Sequence, residues 1–91
     1  MDKLGKTLLT LARNAIAAHF GEPPIATADL PELHDTGATF VTLTQQGHLR
    51  GCIGTLEAWR PLLQDVQENA RNAAFRDPRF TPMIAAEVPV T

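Results

Sequence analysis

The sequence predicts an α+β fold in which an antiparallel β-hairpin is flanked by helices. Apolar residues recur at helical spacing over residues 3–20 and again over residues 61–76. Between them, residues 38–55 form two β-branched and aromatic runs around a central glycine. The chain has 91 residues, 44% of them hydrophobic, which is enough for the core of one small domain.

The first helix is predicted over residues 3–20, because its leucines and alanines recur on one face. Asp2 is suited to cap the start of this helix, and Gly21, followed by two prolines, is suited to end it. Residues 21–36 contain three prolines and show no sustained period. We therefore expect a loop there.

The hairpin is predicted over residues 38–55, with a tight turn at Gln45-Gln46-Gly47, where Gly47 supplies a positive φ. If the turn has two residues, Gln46 and Gly47, it fixes the register of the two strands, whereas a three-residue turn would shift the register and reverse the pairing. The predicted opposite pairs are Val41 with Cys52, Leu43 with Arg50, and Phe40 with Ile53.

Pro61 is suited to open the second helix, which is predicted over residues 61–76 and is ended by Asp77-Pro78. Trp59, just before it, is expected to be either a core residue or a staple at the start of the helix. A short helical turn is predicted at residues 83–87, and residues 88–91 are expected to lead into another strand. The whole chain, residues 1–91, is thus predicted to form a single domain.

The most distinctive segment is Leu49-Arg50-Gly51-Cys52-Ile53-Gly54-Thr55. Strand alternation is expected to place Arg50 and Cys52 on one face, about 6.6 Å apart along the strand. The guanidinium can then fold back toward the sulfur and favour the thiolate. Cys52 is therefore a candidate nucleophile, and Arg50 a candidate stabiliser of the thiolate or of a bound anion. The predicted ligand-binding residues around them are Gly51, Gly54, Thr55 and His48.

The alternative is that Cys52 is a small buried hydrophobic residue and that the glycines only let a helix pack closely on the sheet. The residue types alone leave both interpretations open. His48 and Cys52 lie about 13 Å apart along a strand, so no metal site is predicted. No cofactor is indicated.

The composition narrows the classes of partner. The formal net charge is −2 and there is no basic stripe, so nucleic-acid binding is not expected. No run of about 18 apolar residues occurs, so no membrane span is expected. The single cysteine excludes an internal disulfide and favours a cytoplasmic location.

The Leu49–Thr55 heptapeptide, together with the downstream Asp77-Pro78-Arg79-Phe80, resembles the hallmark of the AMMECR domain family, which includes AmmeMemoRadiSam system protein A. The resemblance implies an antiparallel sheet flanked by helices, with a cavity beside the hallmark strand. Family members are typically much longer, so this chain is expected to be the N-terminal half of such a domain. It would then need either the missing C-terminal half or homo-oligomerisation, because both edges of a lone hairpin are unpaired.

The same resemblance implies Memo-like and radical S-adenosylmethionine (radical SAM) proteins as partners. Two functions follow as hypotheses. In the first, the chain is a thiol-dependent enzyme that uses Cys52 and Arg50. In the second, it is a non-catalytic ligand-binding or protein-interaction scaffold.

Overall fold

The structure is a computed structural model and describes residues 2–87. Two long helices and two antiparallel two-stranded sheets confirm the predicted α+β class. The strand expected to begin at residues 88–91 lies outside the described residues.

Helix α1 spans Lys3–Ala18, and its N-terminus is capped by the Asp2 carboxylate, which accepts a hydrogen bond from the Gly5 amide at 2.6 Å. Its last turn tightens into a Schellman motif. In this motif the amides of Gly21 and Glu22 donate to the carbonyls of Ala18 and Ala17. Gly21 has a φ of +78°, a left-handed conformation that favours glycine. This agrees with its predicted place at the end of α1.

Strands β2 (Phe40–Gln45) and β3 (His48–Gly54) form the hairpin, and the smaller strands β1 (Thr36–Gly37) and β4 (Arg60–Pro61) pair at its base. The turn has two residues, Gln46 and Gly47, with φ values of 51° and 80°, which is the geometry of a type I′ turn.

The predicted register holds only beside the turn, where Gln45 faces His48. Arg50 has no partner on β2, so a β-bulge shifts every later pair by one residue. The predictions that placed Val41 opposite Cys52, Leu43 opposite Arg50 and Phe40 opposite Ile53 are therefore wrong. The observed pairs are Phe40 with Gly54, Val41 with Ile53, Thr42 with Cys52, and Leu43 with Gly51.

Helix α2 spans Leu62–Phe75 and packs against both α1 and the hairpin. Small residues on its buried face allow this close approach, and Ala70, Ala73 and Ala74 are almost completely buried. Trp59, which was expected to be a core or staple residue, is not in the core; it is largely exposed, with its ring centroid 4.7 Å from the Arg60 guanidinium carbon. A final 3₁₀ turn covers Ala85–Glu87. Neither helix between residues 2 and 87 has the length and apolar character needed to cross a bilayer.

Candidate functional site

Cys52 lies on the outer face of the hairpin. Its sulfur is 3.4 Å from the hydroxyl oxygen of Thr42, the residue opposite it on β2. The side chain is half-buried, and Phe40 is exposed on the same strand as Thr42. The sulfur is therefore not enclosed in aliphatic packing, as the structural interpretation of a buried cysteine would require.

The main chain of Cys52 is held by two side chains from the segment after α2. Its amide donates to the Asp77 carboxylate at 3.0 Å, and its carbonyl accepts from the Arg79 guanidinium at 3.3 Å. Arg79 also donates to both oxygens of Asp77, at 3.1 and 2.8 Å. The Arg79 hydrogen bond, helped by the Cys52 amide, holds the pKa of Asp77 well below its usual range.

Arg50 does not turn toward Cys52. The bulge removes it from the alternation of β3, and its guanidinium makes a two-pronged ion pair with Glu87, at 2.8 and 3.1 Å. Both side chains are mostly buried beside the core residue Met83. The mutual hydrogen bond raises the pKa of Arg50 and lowers that of Glu87, so the pair stays charged. The expectation that Arg50 and Cys52 share one face is therefore wrong, because one extra residue reverses the alternation.

The two glycines of the segment serve different contacts. A Cβ atom on Gly51 would lie 2.9 Å from the carbonyl carbon of Ala73, and closer still to its oxygen, so only glycine lets β3 approach the backbone of α2. A Cβ on Gly54 would meet the ring of Phe40, which covers this glycine from the opposite strand. Gly51 therefore allows β3 to pack closely on α2, and Gly54 leaves room for the exposed ring of Phe40.

Thr55 ends the segment in a buried polar network around Asp65. One oxygen of the Asp65 carboxylate accepts from the Thr55 hydroxyl at 2.7 Å and from Arg60 Nε at 2.8 Å. The other accepts from the Thr39 amide at 2.6 Å, the Thr39 hydroxyl at 2.8 Å and the Asn69 amide group at 3.1 Å. Five donors thus surround a carboxylate that is fully buried.

Burial by itself raises the pKa of Asp65, but the hydrogen bonds from Thr55, Arg60 and Thr39 outweigh it. The net pKa lies below its ordinary value, so the carboxylate is ionised at neutral pH. Because donors occupy both of its oxygens, the Asp65 carboxylate on α2 holds three parts of the chain together: helix α2 itself, the end of β3, and the loop that precedes β2.

The predicted ligand-binding residues are not gathered into one cavity. His48 is exposed beside the turn, paired with Gln45, whereas Thr55 lies at the other end of β3 in the Asp65 network. Between residues 2 and 87, no group of three or more histidine, cysteine, aspartate or glutamate side chains could hold a metal ion. The ligand-binding roles of these residues stay predictions.

Sequence reasoning missed Asp65, Asn69 and the role of Asp77 as a main-chain anchor. A signal for the first two was present. Asp65 and Asn69 are four residues apart and fall in phase with the apolar stripe of α2 that includes Val66 and Ala73. Polar residues on a buried face need hydrogen-bond partners, and the threonines of the hairpin supply them.

The fold and the hallmark segment define a class: an α+β domain in which a bulged hairpin strand is fastened to a central helix. The family model described as AMMECR1 matches residues 9–91, and the chain belongs to this family. It is 41% identical over 87 residues to a protein of Methanothermobacter thermautotrophicus, covering 92% of this chain and 45% of that protein. It is 40% identical over 88 residues to a Saccharolobus islandicus protein, covering 90% of this chain and 39% of that one.

The crystal structure of the uncharacterized protein PH0010 from Pyrococcus horikoshii has the same fold, with a TM-score of 0.81 at 36% sequence identity. The match covers 96% of this chain and 47% of that structure. The chain thus spans less than half the length of these relatives.

Proposed function

We propose that this chain is a non-catalytic binding module, in which the Leu49–Thr55 segment is a structural frame and the hairpin face around Cys52 binds a partner protein. One observation carries this proposal. The polar groups that the segment would offer to chemistry are already bound within the chain. They are the Arg50 guanidinium, the Cys52 amide and carbonyl, and the Thr55 hydroxyl.

A nucleophilic thiol needs an adjacent base or cation to favour its thiolate. The nearest side-chain partner of the Cys52 sulfur is the Thr42 hydroxyl, which is neither. Arg50, the predicted stabiliser, is neutralised by Glu87. This arrangement favours the scaffold hypothesis over the enzyme hypothesis.

The hairpin face has the character of an interaction surface. Phe40 and Leu49 are large apolar residues that are exposed on neighbouring strands, with Thr42 and Cys52 between them. Large apolar residues exposed together on one face are typical of surfaces that bind other proteins. We propose Memo-like and radical SAM proteins as the partners, on the family resemblance, and a cytoplasmic location, which the single free cysteine supports.

The test is binding of the purified chain to a Memo-like protein by isothermal titration calorimetry. Cys52→Ala and Cys52→Ser should bind within about threefold of the native chain, because the thiol provides no essential group. Leu49→Asp should weaken binding at least about tenfold, as expected for an apolar contact at an interface centre. Ile25→Asp is the matched control, since Ile25 is 42% exposed and Leu49 is 44% exposed.

Binding of Leu49→Asp within about threefold of the native chain, with an unchanged circular dichroism spectrum, would overturn the proposal. Equal losses in Leu49→Asp and Ile25→Asp would show that the hairpin face is not the binding surface.

A second candidate function is thiol chemistry supported by Arg79 in place of Arg50. The specific observation is that the Arg79 guanidinium reaches the Cys52 carbonyl while its side chain stays more than half exposed. Under this alternative, iodoacetamide labels Cys52 in the folded chain, and Arg79→Gln slows the labelling. Labelling that occurs only when the chain unfolds would exclude it.

A further inference from the structure

The loop between β3 and β4 exposes two large apolar side chains. Leu56 is 90% exposed and Trp59 is 68% exposed, and the hydrophobic core cluster includes neither of them. They stand three residues apart, so their Cα atoms lie within about 11 Å of each other, a distance that a single interface spans. A tryptophan buries about 150–250 Å² of surface when it is covered. Together the two side chains form an apolar patch on the surface of the chain.

The exposure of this loop does not come from loose ends, because one carboxylate oxygen fastens both of its flanks. Asp65 Oδ1 accepts from the Thr55 hydroxyl at 2.7 Å, just before the loop, and from Arg60 Nε at 2.8 Å, just after it. The Thr55 amide also donates to the Thr39 carbonyl at 2.9 Å. Because Asp65 is fully buried, residues 56–59 form a short loop whose two ends are held by the interior of the fold.

The indole of Trp59 is ordered by the same contacts. The Arg60 guanidinium carbon lies 4.7 Å from the ring centroid, which is a cation–π distance. Since the buried Asp65 fixes Arg60, the indole rests on a side chain that is itself held in place. Ordering a side chain before it binds removes part of the entropic cost of forming an interface. Trp59 therefore combines the residue type of an interface hot spot with preorganisation.

The charge of the loop indicates which kind of surface fits it. Glu57 is exposed between the two apolar residues and forms no ion pair within residues 2–87. The nearest cation in sequence, Arg60, is neutralised by Asp65. The negative charge disfavours the phosphates of nucleic acids and of anionic membranes. It favours a protein surface that has a lysine or arginine at the rim of an apolar pocket.

We propose that the Leu56–Trp59 loop is a protein-binding anchor, whose partner has an apolar pocket for the two large side chains and a basic residue for Glu57. Two copies of this chain that faced each other through the loop would bring their Glu57 carboxylates together, so a second copy is not the proposed partner. The loop consists of other residues than the hairpin face around Cys52, and the proposal does not rest on the role proposed for that face.

The probe is a phage library of random linear peptides that lack tryptophan, selected on the immobilised chain. Because a few hot-spot residues provide most of the binding energy of an interface, selected peptides should collect at the loop. They should combine large apolar residues with lysine or arginine. Trp59 is the only tryptophan of the chain, so its fluorescence reports on the loop alone. A synthetic copy of a selected peptide should shift the Trp59 emission to shorter wavelength, because it takes the indole out of water.

Fluorescence polarisation of the labelled peptide compares variants at exposed positions. Trp59→Ala and Leu56→Asp should each raise the Kd at least about tenfold. Ile84→Ala is the matched control for Trp59→Ala, since Ile84 is 61% exposed and lies outside the loop, and it should change the Kd by no more than about twofold. Glu57→Gln should raise the Kd about two- to fivefold and weaken its dependence on salt concentration.

Selected peptides that leave the Trp59 emission unchanged would overturn the proposal, and so would a library that yields no binder. Equal effects of Trp59→Ala and Ile84→Ala would also overturn it. If Leu49→Asp abolished peptide binding while Trp59→Ala did not, the peptides would occupy the hairpin face; that result would overturn this proposal and leave the proposed function standing.

Two other occupants of the loop have their own outcomes. An emission shift that grows with the concentration of the chain alone would identify a second copy. Loss of peptide binding after fusion of the remainder of the Methanothermobacter thermautotrophicus protein behind residue 91 would mean that the loop is covered within the longer protein. Either result would overturn the proposal.

Discussion

Replacing Asp65 with asparagine exchanges one carboxylate oxygen for an amide nitrogen, yet it should remove much of the stability of this chain. Each oxygen of the Asp65 carboxylate accepts hydrogen bonds. If the side-chain nitrogen of an asparagine replaced either oxygen, its hydrogens would face at least one N–H donor that cannot rotate away. The Thr39 amide and the Asn69 amide group occupy one side, and Arg60 Nε occupies the other with the rotatable Thr55 hydroxyl. The asparagine nitrogen should therefore turn toward Arg60, which loses its partner.

The expected magnitude follows from burial. Asp65 is fully buried, and the side chain of Arg60 is only 14% exposed. Breaking a buried ion pair from one side costs about 3–5 kcal/mol. The total free energy of unfolding of a small domain is about 5–15 kcal/mol. Asp65→Asn should thus remove about a fifth or more of it.

Urea unfolding followed by circular dichroism measures this loss. The matched control is Asp29→Asn, because Asp29 forms its ion pair with His34 at the surface, where its own side chain is 83% exposed. That change should alter stability by less than about 0.5 kcal/mol. A loss below about 1 kcal/mol in Asp65→Asn would refute the view that this network fastens the hairpin to α2.

Further outcomes follow from the same contacts. Gly51→Ala should lower the free energy of unfolding by about 1–3 kcal/mol, because the new methyl group meets the backbone of α2. Gly54→Ala should lower it by less than about 1 kcal/mol, because the exposed Phe40 ring can rotate away. Thermal unfolding of the two variants compares these losses. Thr55→Val should cost about 1–3 kcal/mol by leaving buried partners unsatisfied. Folding lowers the pKa of Asp65 below 3.8, so the ionised group stabilises the fold above that pH and this stability is lost on further acidification. Asp65→Asn should flatten the pH dependence of the urea midpoint below about pH 4.

Local signals were sufficient for the two long helices and the hairpin, but not for the short β1–β4 pair. Asp2 and Gly21 delimit α1 because capping depends on residues within one turn of a helix end. The Gln46-Gly47 turn was predictable for the same reason, since a two-residue hairpin turn requires positive φ. The bulge at Arg50 was not predictable in this way, because the Arg50 side chain binds Glu87, which is 37 residues away in sequence and outside any local pattern.

The candidate site was harder to predict than the fold. Cys52 and Arg50 stand two residues apart in sequence, but the bulge sends the Arg50 side chain toward Met83 and leaves Cys52 beside Thr42. The alternation of side chains along a strand does not predict where an extra residue will form a bulge. The cation that does reach Cys52 is Arg79, which belongs to a different segment and binds the main chain instead of the sulfur. Contacts of this kind follow from tertiary packing alone.

The central claim is that side chains of the same chain hold the main chain of the Leu49–Thr55 segment. Hydrogen exchange at two opposite amides, Cys52 and Thr42, tests this claim most directly. The account predicts slow exchange at Cys52, whose amide donates to Asp77. It predicts fast exchange at Thr42, because the main chain of its opposite residue Cys52 points out of the hairpin, so the Thr42 amide points away from β3 as well. Equal rates at the two positions in the chain alone would mean that Asp77 does not hold the strand, and would contradict the account.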